Sequence, residues 1–290
     1  MRFLSRPVRA GPSARSHVLS ASEREQLRHP LERKTTLVIG ILAVTFITTT
    51  LTLLIYGSDW LAGRPTIGKY KSQVRILLAA VAGAPVLATY ARKRRRLLAK
   101  EESIHVTASQ LPEIHNVLVA HCRRVGVRVP DLYISDGLEH TTSFSWRGHD
   151  CIVLSTHDFE LFPYAFHEVV EFVLARELGS ICLGHTSFRK ELLKSCVAPL
   201  PFLRGPLRQI YTYSRDRYGA YLAPRAARAL LVGASSDQLL NHVDVDGYFA
   251  ELEANADDDI WSRIIWLFSK RVPLAQRVRQ LRRAGMLASR

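Results

Sequence analysis

Residues 35–56 carry no charged side chain, and apart from Tyr56 their polar side chains are all threonines. At about 1.5 Å per residue this run is long enough to cross the ~30 Å hydrocarbon core of a bilayer as one helix. A surface helix of a soluble protein would show a polar face, and none is present. The run therefore predicts a membrane span, and it splits the chain into a short N-terminal part and a long C-terminal part.

A second apolar segment, residues 74–90, is shorter and is interrupted by Arg75, Gly83 and Pro85. Arg75 and Arg92 at its ends are placed to snorkel toward the two membrane surfaces. Charge sets the expected orientation. The net charge is +14, and it is concentrated. Residues 1–34 carry Arg2, Arg6, Arg9, Arg15, Arg24, Arg28, Arg33 and Lys34, and Arg92-Lys93-Arg94-Arg95-Arg96 follows the second segment. The loop between the segments holds only Arg64, Lys69 and Lys71, beside Asp59. The positive-inside rule then puts both ends in the cytoplasm. Basic blocks beside apolar segments favour an anionic membrane surface over nucleic acid as partner.

Three parts are expected. Residues 1–34 form a basic, disordered cytoplasmic tail, with Pro7, Gly11, Pro12 and several serines. Residues 35–100 form a two-span hairpin (35–56 and 74–90) with a basic flank. Residues 101–290 form a cytoplasmic domain. The tail is too long for the n-region of an ordinary signal peptide.

Within the domain, residues 111–125 have helical apolar spacing, 131–135 read as a strand, and 141–146 with 151–155 read as a hairpin turning at Arg147-Gly148. Pro163 is placed to open a helix reaching about His185. The Pro-rich stretch 197–206 is expected as a loop. Helices are expected at 214–231 and 245–267. Four cysteines (Cys122, Cys151, Cys182, Cys196) lack C-x-x-C spacing and are expected to pack as small hydrophobes. No G-x-S-x-G, phosphate-binding loop or G-x-G-x-x-G is present.

The stretch Ala175-Arg176-Glu177-Leu178-Gly179-Ser180, with Gly184-His185 behind it, has the outline of a zinc-protease helix. In H-E-x-x-H two histidines one turn apart bind zinc and the glutamate between them is the general base. Around it stand Pro130-Asp131-Leu132-Tyr133, Thr142-Ser143-Phe144, Ile152-Val153-Leu154, the run Ser214 to Leu222, and Pro273 with Arg277, Val278 and Leu281. In this order, over roughly residues 130–285, they make the domain resemble the membrane-anchored zinc metallopeptidases of the HtpX heat-shock-protease and CAAX prenyl endopeptidase family.

The resemblance implies an α+β, zincin-like fold with a small sheet and a long central helix, behind the membrane hairpin, in a bacterial-type cytoplasmic membrane. It also implies where zinc would bind, and there the chain departs. The two histidine positions are Arg176 and Ser180, the third ligand position is Tyr218, and a supporting aspartate is Leu222. Only Glu177, the general-base position, remains. Arginine offers no lone pair to a metal, and a glutamate base without a metal-bound water has little to activate. No metal ligand set and no cofactor are expected.

The expected function is therefore that of a pseudoprotease: a membrane-bound regulator that holds an extended peptide or membrane-protein segment by strand addition along Thr142, Ser143 and Phe144. The alternative is an active zinc endopeptidase with unusual ligands. Arg176 is expected in the metal's place, stacked on Tyr218 and paired with Glu177 or Asp216. His167-Glu168-Val169-Val170-Glu171 is a second His-Glu pattern. On a continuous helix His167, Glu171, Leu178 and His185 share a face roughly opposite Arg176, so this pattern and His185 are expected to be structural. His105, His115, His121 and His242 are expected at the surface or at helix ends, and Asp257-Asp258-Asp259 at a helix start.

Overall fold

The computed structural model describes residues 18–57, 71–138, 140–146, 148–157, 166–223 and 272–286, together with Arg225, Asp244, Gly247, Ala250, Glu251 and Ser269. Residues 1–17, Pro163, His242 and Asp257 to Asp259 lie outside them, as does nearly all of the helix expected at 245–267.

From Val18 onward the N-terminal part is built structure, which corrects the expectation of disorder through residue 34. Helix α1 (Ala21–Gln26) starts with a capping box: the Ser20 hydroxyl accepts from the Glu23 amide at 3.2 Å, and the Glu23 carboxylate accepts from the Ser20 amide at 2.8 Å. Leu19 and Leu27 are buried against Val125, Ala175, Leu183, Tyr218 and Leu222. Two apolar anchors in the domain core order a segment that its composition alone would leave loose.

Helix α2 (Glu32–Thr52) continues through a π-helical turn at Leu53–Gly57. Helix α3 (Lys71–Glu101) runs unbroken through Pro85. Pro85 costs the helix one backbone bond, and one turn on the Thr89 hydroxyl donates back to the Pro85 carbonyl at 2.8 Å. Both helices are long and apolar enough to cross a membrane, over Glu32–Tyr56 and Arg75–Glu101. Leu37, Ile41, Val44, Ile55, Ile76, Leu77 and Leu87 are exposed along them. At about 1.5 Å per residue α3 is far longer than a bilayer core, and its last turns carry the basic block back onto the domain.

The sheet has four strands, β1 (Ile104–Val106), β2 (Asp131–Ser135), β3 (Thr142–Trp146) and β4 (His149–Ser155), in the order β1-β2-β4-β3. β2 and β4 are parallel, and both outer pairings are antiparallel. The continuous apolar run of β4 is explained by burial on both faces. On one face Leu132, Ile152 and Leu154 pack with helix α4 (Pro112–Val125) and helix α5 (Phe166–Cys182) through Leu118, Val170, Leu174 and Leu178. On the other, Phe144, Cys151 and Val153 meet Leu97 of α3. The fold is α+β, and the strand and hairpin positions follow the alternation in the sequence.

Helices α6 (Phe188–Val197) and α7 (Pro201–Leu222) complete the frame, and α8 (Leu274–Arg283) lies on α7. Of the stretch expected as a loop at 197–206, Val197 ends α6 and residues 201–206 are the start of α7. Pro201 falls in the first turn, where its missing N–H is one of those left unbonded in any helix, and Pro206 removes a single bond near that end. Helix α7 ends at Leu222, two residues before Pro224; nearly all of the rest of the helix expected to residue 231 lies outside the described residues.

Candidate functional site

Helices α5 and α7 pack face to face through two glycines. A Cβ on Gly179 would lie 2.7 Å from the Tyr218 side chain, and one on Gly219 would lie 2.4 Å from Phe172 and 2.9 Å from Arg176. This close approach brings the residues of the degenerate motif together.

Arg176 pairs with Asp216, its Nε 2.8 Å from Oδ1. Arg277, from α8, closes a bidentate fork on the same carboxylate, at 2.6 and 2.8 Å. Asp216 is 1% exposed, so burial by itself would raise its carboxyl; Arg277 and Arg176 outweigh that and hold it below the usual carboxylate range. The expected pairing of Arg176 with a carboxylate is therefore present, with Asp216 rather than Glu177. The expected stacking on Tyr218 is not. The guanidinium lies over the Phe172 ring at 5.7 Å, one turn back on its own helix.

Tyr218 turns the other way. It is buried among Leu19, Leu27 and Ala175, and its hydroxyl donates to the Arg24 carbonyl at 3.1 Å. Burial pushes its phenol above the ordinary range, so it does not offer a phenolate to a metal.

Glu177 is buried and fully engaged. One carboxylate oxygen pairs with Arg215, and the other accepts from the Ser143 hydroxyl at 2.7 Å. Ser143 thus ties β3 to α5. Phe144 points to the opposite face of the sheet and is buried. Of the residues expected to bind a peptide, Ser143 and Phe144 have their side chains spent on the fold. The strand itself is the end member of the sheet, so its outer backbone edge has no strand partner among the described residues.

The main surprise is His185. A helical wheel places it opposite Arg176, but α5 ends first. Gly184 adopts φ +65°, the His185 amide donates to the Ser180 carbonyl at 2.8 Å and the Gly184 amide to the Ile181 carbonyl at 2.9 Å. This Schellman turn swings His185 to the Ser180 side of the helix, where both line one cavity. There the imidazole stacks on Tyr211 at 4.1 Å and its Nε2 lies 2.9 Å from Oε1 of Glu32. Burial lowers its pKa to about 4, against the pull of Glu32.

Glu32 was not foreseen as a site residue. It stands at the head of α2 and is wholly buried, and besides His185 it receives the Ser214 hydroxyl, Arg28 at 2.7 Å and Lys190 at 3.4 Å. Serine, histidine and carboxylate are all present, but Ser214 gives its proton to the carboxylate rather than to an imidazole, which is not the relay of a nucleophilic serine. The one available signal was an acid set among Arg28, Arg33 and Lys34 one turn before an apolar run.

The second pattern stays apart from this cluster. His167 is exposed and sits 3.9 Å from Glu113. His121 is buried, contrary to the surface expectation, while His105 stacks on Tyr133 at 4.8 Å. All four cysteines are free, and burial raises the Cys122 and Cys182 thiols to about 12, so they are inert packing groups.

The donor set does not fit zinc. Arg176 is a cation held by a carboxylate, Tyr218 donates its proton to a carbonyl, and Ser180 is a neutral hydroxyl. Among the described residues no group of three or more His, Cys, Asp or Glu is arranged to hold a metal ion. The chain matches no protein-family model, no curated protein and no solved structure.

Proposed function

We propose that this is a membrane-anchored, metallopeptidase-like protein of the HtpX and CAAX endopeptidase type that has given up zinc hydrolysis and serves as a peptide-binding regulator at the membrane. The Arg176–Asp216–Arg277 cluster carries the reading. It contains Arg176, the position where the resemblance asks for the first metal ligand, and it sets two fixed positive charges on a single carboxylate. A dication there would face net repulsion. Glu177 meanwhile is buried and holds Arg215 through one oxygen and the Ser143 hydroxyl through the other, a structural role that competes with that of a general base.

The zincin-like assignment is supported by the order of parts: an antiparallel end strand beside the helix that bears the motif, then a second helix crossing it at Gly179 and Gly219. The two-span hairpin is supported by its roots. The head of α2 is fixed by Glu32, and the tail of α3 by Arg92 and Arg96, both within 3.5 Å of Glu191. Both basic flanks thus lie on the domain side, as the positive-inside rule asks of a cytoplasmic domain. Peptide capture by β3 would use its backbone edge, which tolerates the loss of a metal.

The test is elemental analysis of the full-length protein, purified in neutral detergent after growth with added zinc. The expected content is below about a tenth of an equivalent, because three lone-pair ligands are needed. Close to one zinc per chain would overturn the reading and restore the endopeptidase. A photo-cross-linking residue at Thr142 then asks whether an extended polypeptide lies along β3.

A further inference from the structure

A cavity of about 470 Å³ opens between α3, α6 and α7, with Ser180 and His185 in its wall. Its wall is cationic. Arg92, Lys194, Arg204, Arg208 and Arg215 line it, and no acidic side chain does. Three of the five have a carboxylate partner: Arg92 and Lys194 share Glu191, at 3.5 and 2.8 Å, and Arg215 holds Glu177, although its Nε makes no hydrogen bond. Arg208 is not. Its Nε and Nη2 are buried and make no hydrogen bond. Its charge is further burdened by burial and by Arg204 alongside, which together lower its pKa. Arg208 as a whole is half-buried, but two buried donors without an acceptor in a roomy polar site point to a missing partner. Arg204, four residues earlier on α7, is exposed at the rim.

The remainder of the wall is apolar. Val197, Leu207 and Tyr211 form one cluster with Ile39 of α2. The cavity therefore abuts the first apolar helix, at the level where the exposed Val86, Leu87 and Tyr90 of α3 give way to Arg92. Phe202, beside the rim on α7, is 66% exposed, as an interfacial anchor would be. Guanidinium forks over an apolar floor suit a phosphate joined to something greasy.

We propose that this cavity binds a phosphate-bearing anion, gripped by Arg204 and Arg208, and that the headgroup of an anionic phospholipid supplies it. The anion site stands independently of the metallopeptidase reading; its lipid source rests on α2 and α3 being membrane spans.

The test is thermal unfolding of the full-length protein in neutral detergent at constant ionic strength. The probes are dihexanoyl phosphatidic acid, dihexanoyl phosphatidylcholine and inorganic phosphate. Phosphatidic acid is expected to raise Tm by a few degrees, roughly the shift that saturating binding gives in a chain of this size. Phosphatidylcholine, whose own cation cancels its charge, is expected to shift it less. The Arg204→Gln/Arg208→Gln double variant should lose the effect. Should that variant fail to fold, Arg204→Gln alone, at the exposed rim, should weaken the dose response about tenfold, the worth of one charge-assisted contact. An equal shift from inorganic phosphate would keep the anion site and overturn the lipid assignment. No shift with any probe, or the same shift in the variants, would overturn the proposal.

Discussion

Two groups of buried charge flank the packed pair α5 and α7, and they are built in opposite ways. Around Asp216 one carboxylate is shared by Arg176 and Arg277, every contact is short, and α8 closes the site. Around Arg208 the acids stand behind the wall, and a guanidinium faces open space. The first arrangement is complete as folded and has nothing left with which to bind a ligand. The second is unfinished as folded. Of the motif positions, Arg176 belongs to the closed cluster, whereas Ser180 lines the open cavity.

The sharpest way to break this comparison is to remove the acid from the closed cluster. Asp216→Ala leaves Arg176 and Arg277 desolvated and facing each other, and should cost about 3–5 kcal/mol, seen as a large fall in Tm. A loss under about 1 kcal/mol would mean that the cluster is solvated. Next in size is Glu32→Gln, which keeps the shape but strips the charge from Arg28, Lys190 and Ser214. It should cost about 2–4 kcal/mol, and limited proteolysis should then release the segment before α2.

Acid should destabilise the protein in a defined window. The His185 and His121 pKa values are lowered from 6.5 to about 4 by burial. Between those values the unfolded chain binds more protons than the folded one, so stability is full above about pH 6.5 and falls as pH drops toward 4. Each histidine contributes on the order of 3 kcal/mol over that range. His185→Gln should flatten part of the slope, and an unchanged slope would show that the ring is protonated in the folded protein.

Arg176→Ala is expected to cost less than the loss of Asp216, about 1–2 kcal/mol, because Arg277 keeps the carboxylate neutralised; no change would remove Arg176 from the cluster's bookkeeping. The smallest effect separates the two regions by sign. Without ligand, Arg208→Leu should be neutral or stabilising by up to about 1 kcal/mol, since it deletes an unpaired buried charge. A loss as large as that of Asp216→Ala would make the two regions alike.

Some elements were legible because their information is local. Alternation marks β2 and the β3–β4 hairpin, and apolar spacing marks α4. Arg176, Ser180 and Tyr218 could be singled out as positions where zinc ligands were lacking, since side-chain chemistry alone disqualifies an arginine. The course of the chain after α5 was not legible, although Gly184 was the sign that the wheel must stop before His185. Nor was helix α7 through Pro206, because the prolines look like breakers unless the helix start is known.

By itself the sequence determined the apolar segments and the α+β order of elements, because hydropathy and period are properties of single residues and near neighbours. Only the tertiary structure decided who pairs with whom. Glu32 meets His185 from 153 residues away, and Asp216 rather than Glu177 takes Arg176, with Arg277 joining it. Such pairings follow from the depth at which packing strips water from each charge, and that depth is set by the whole fold.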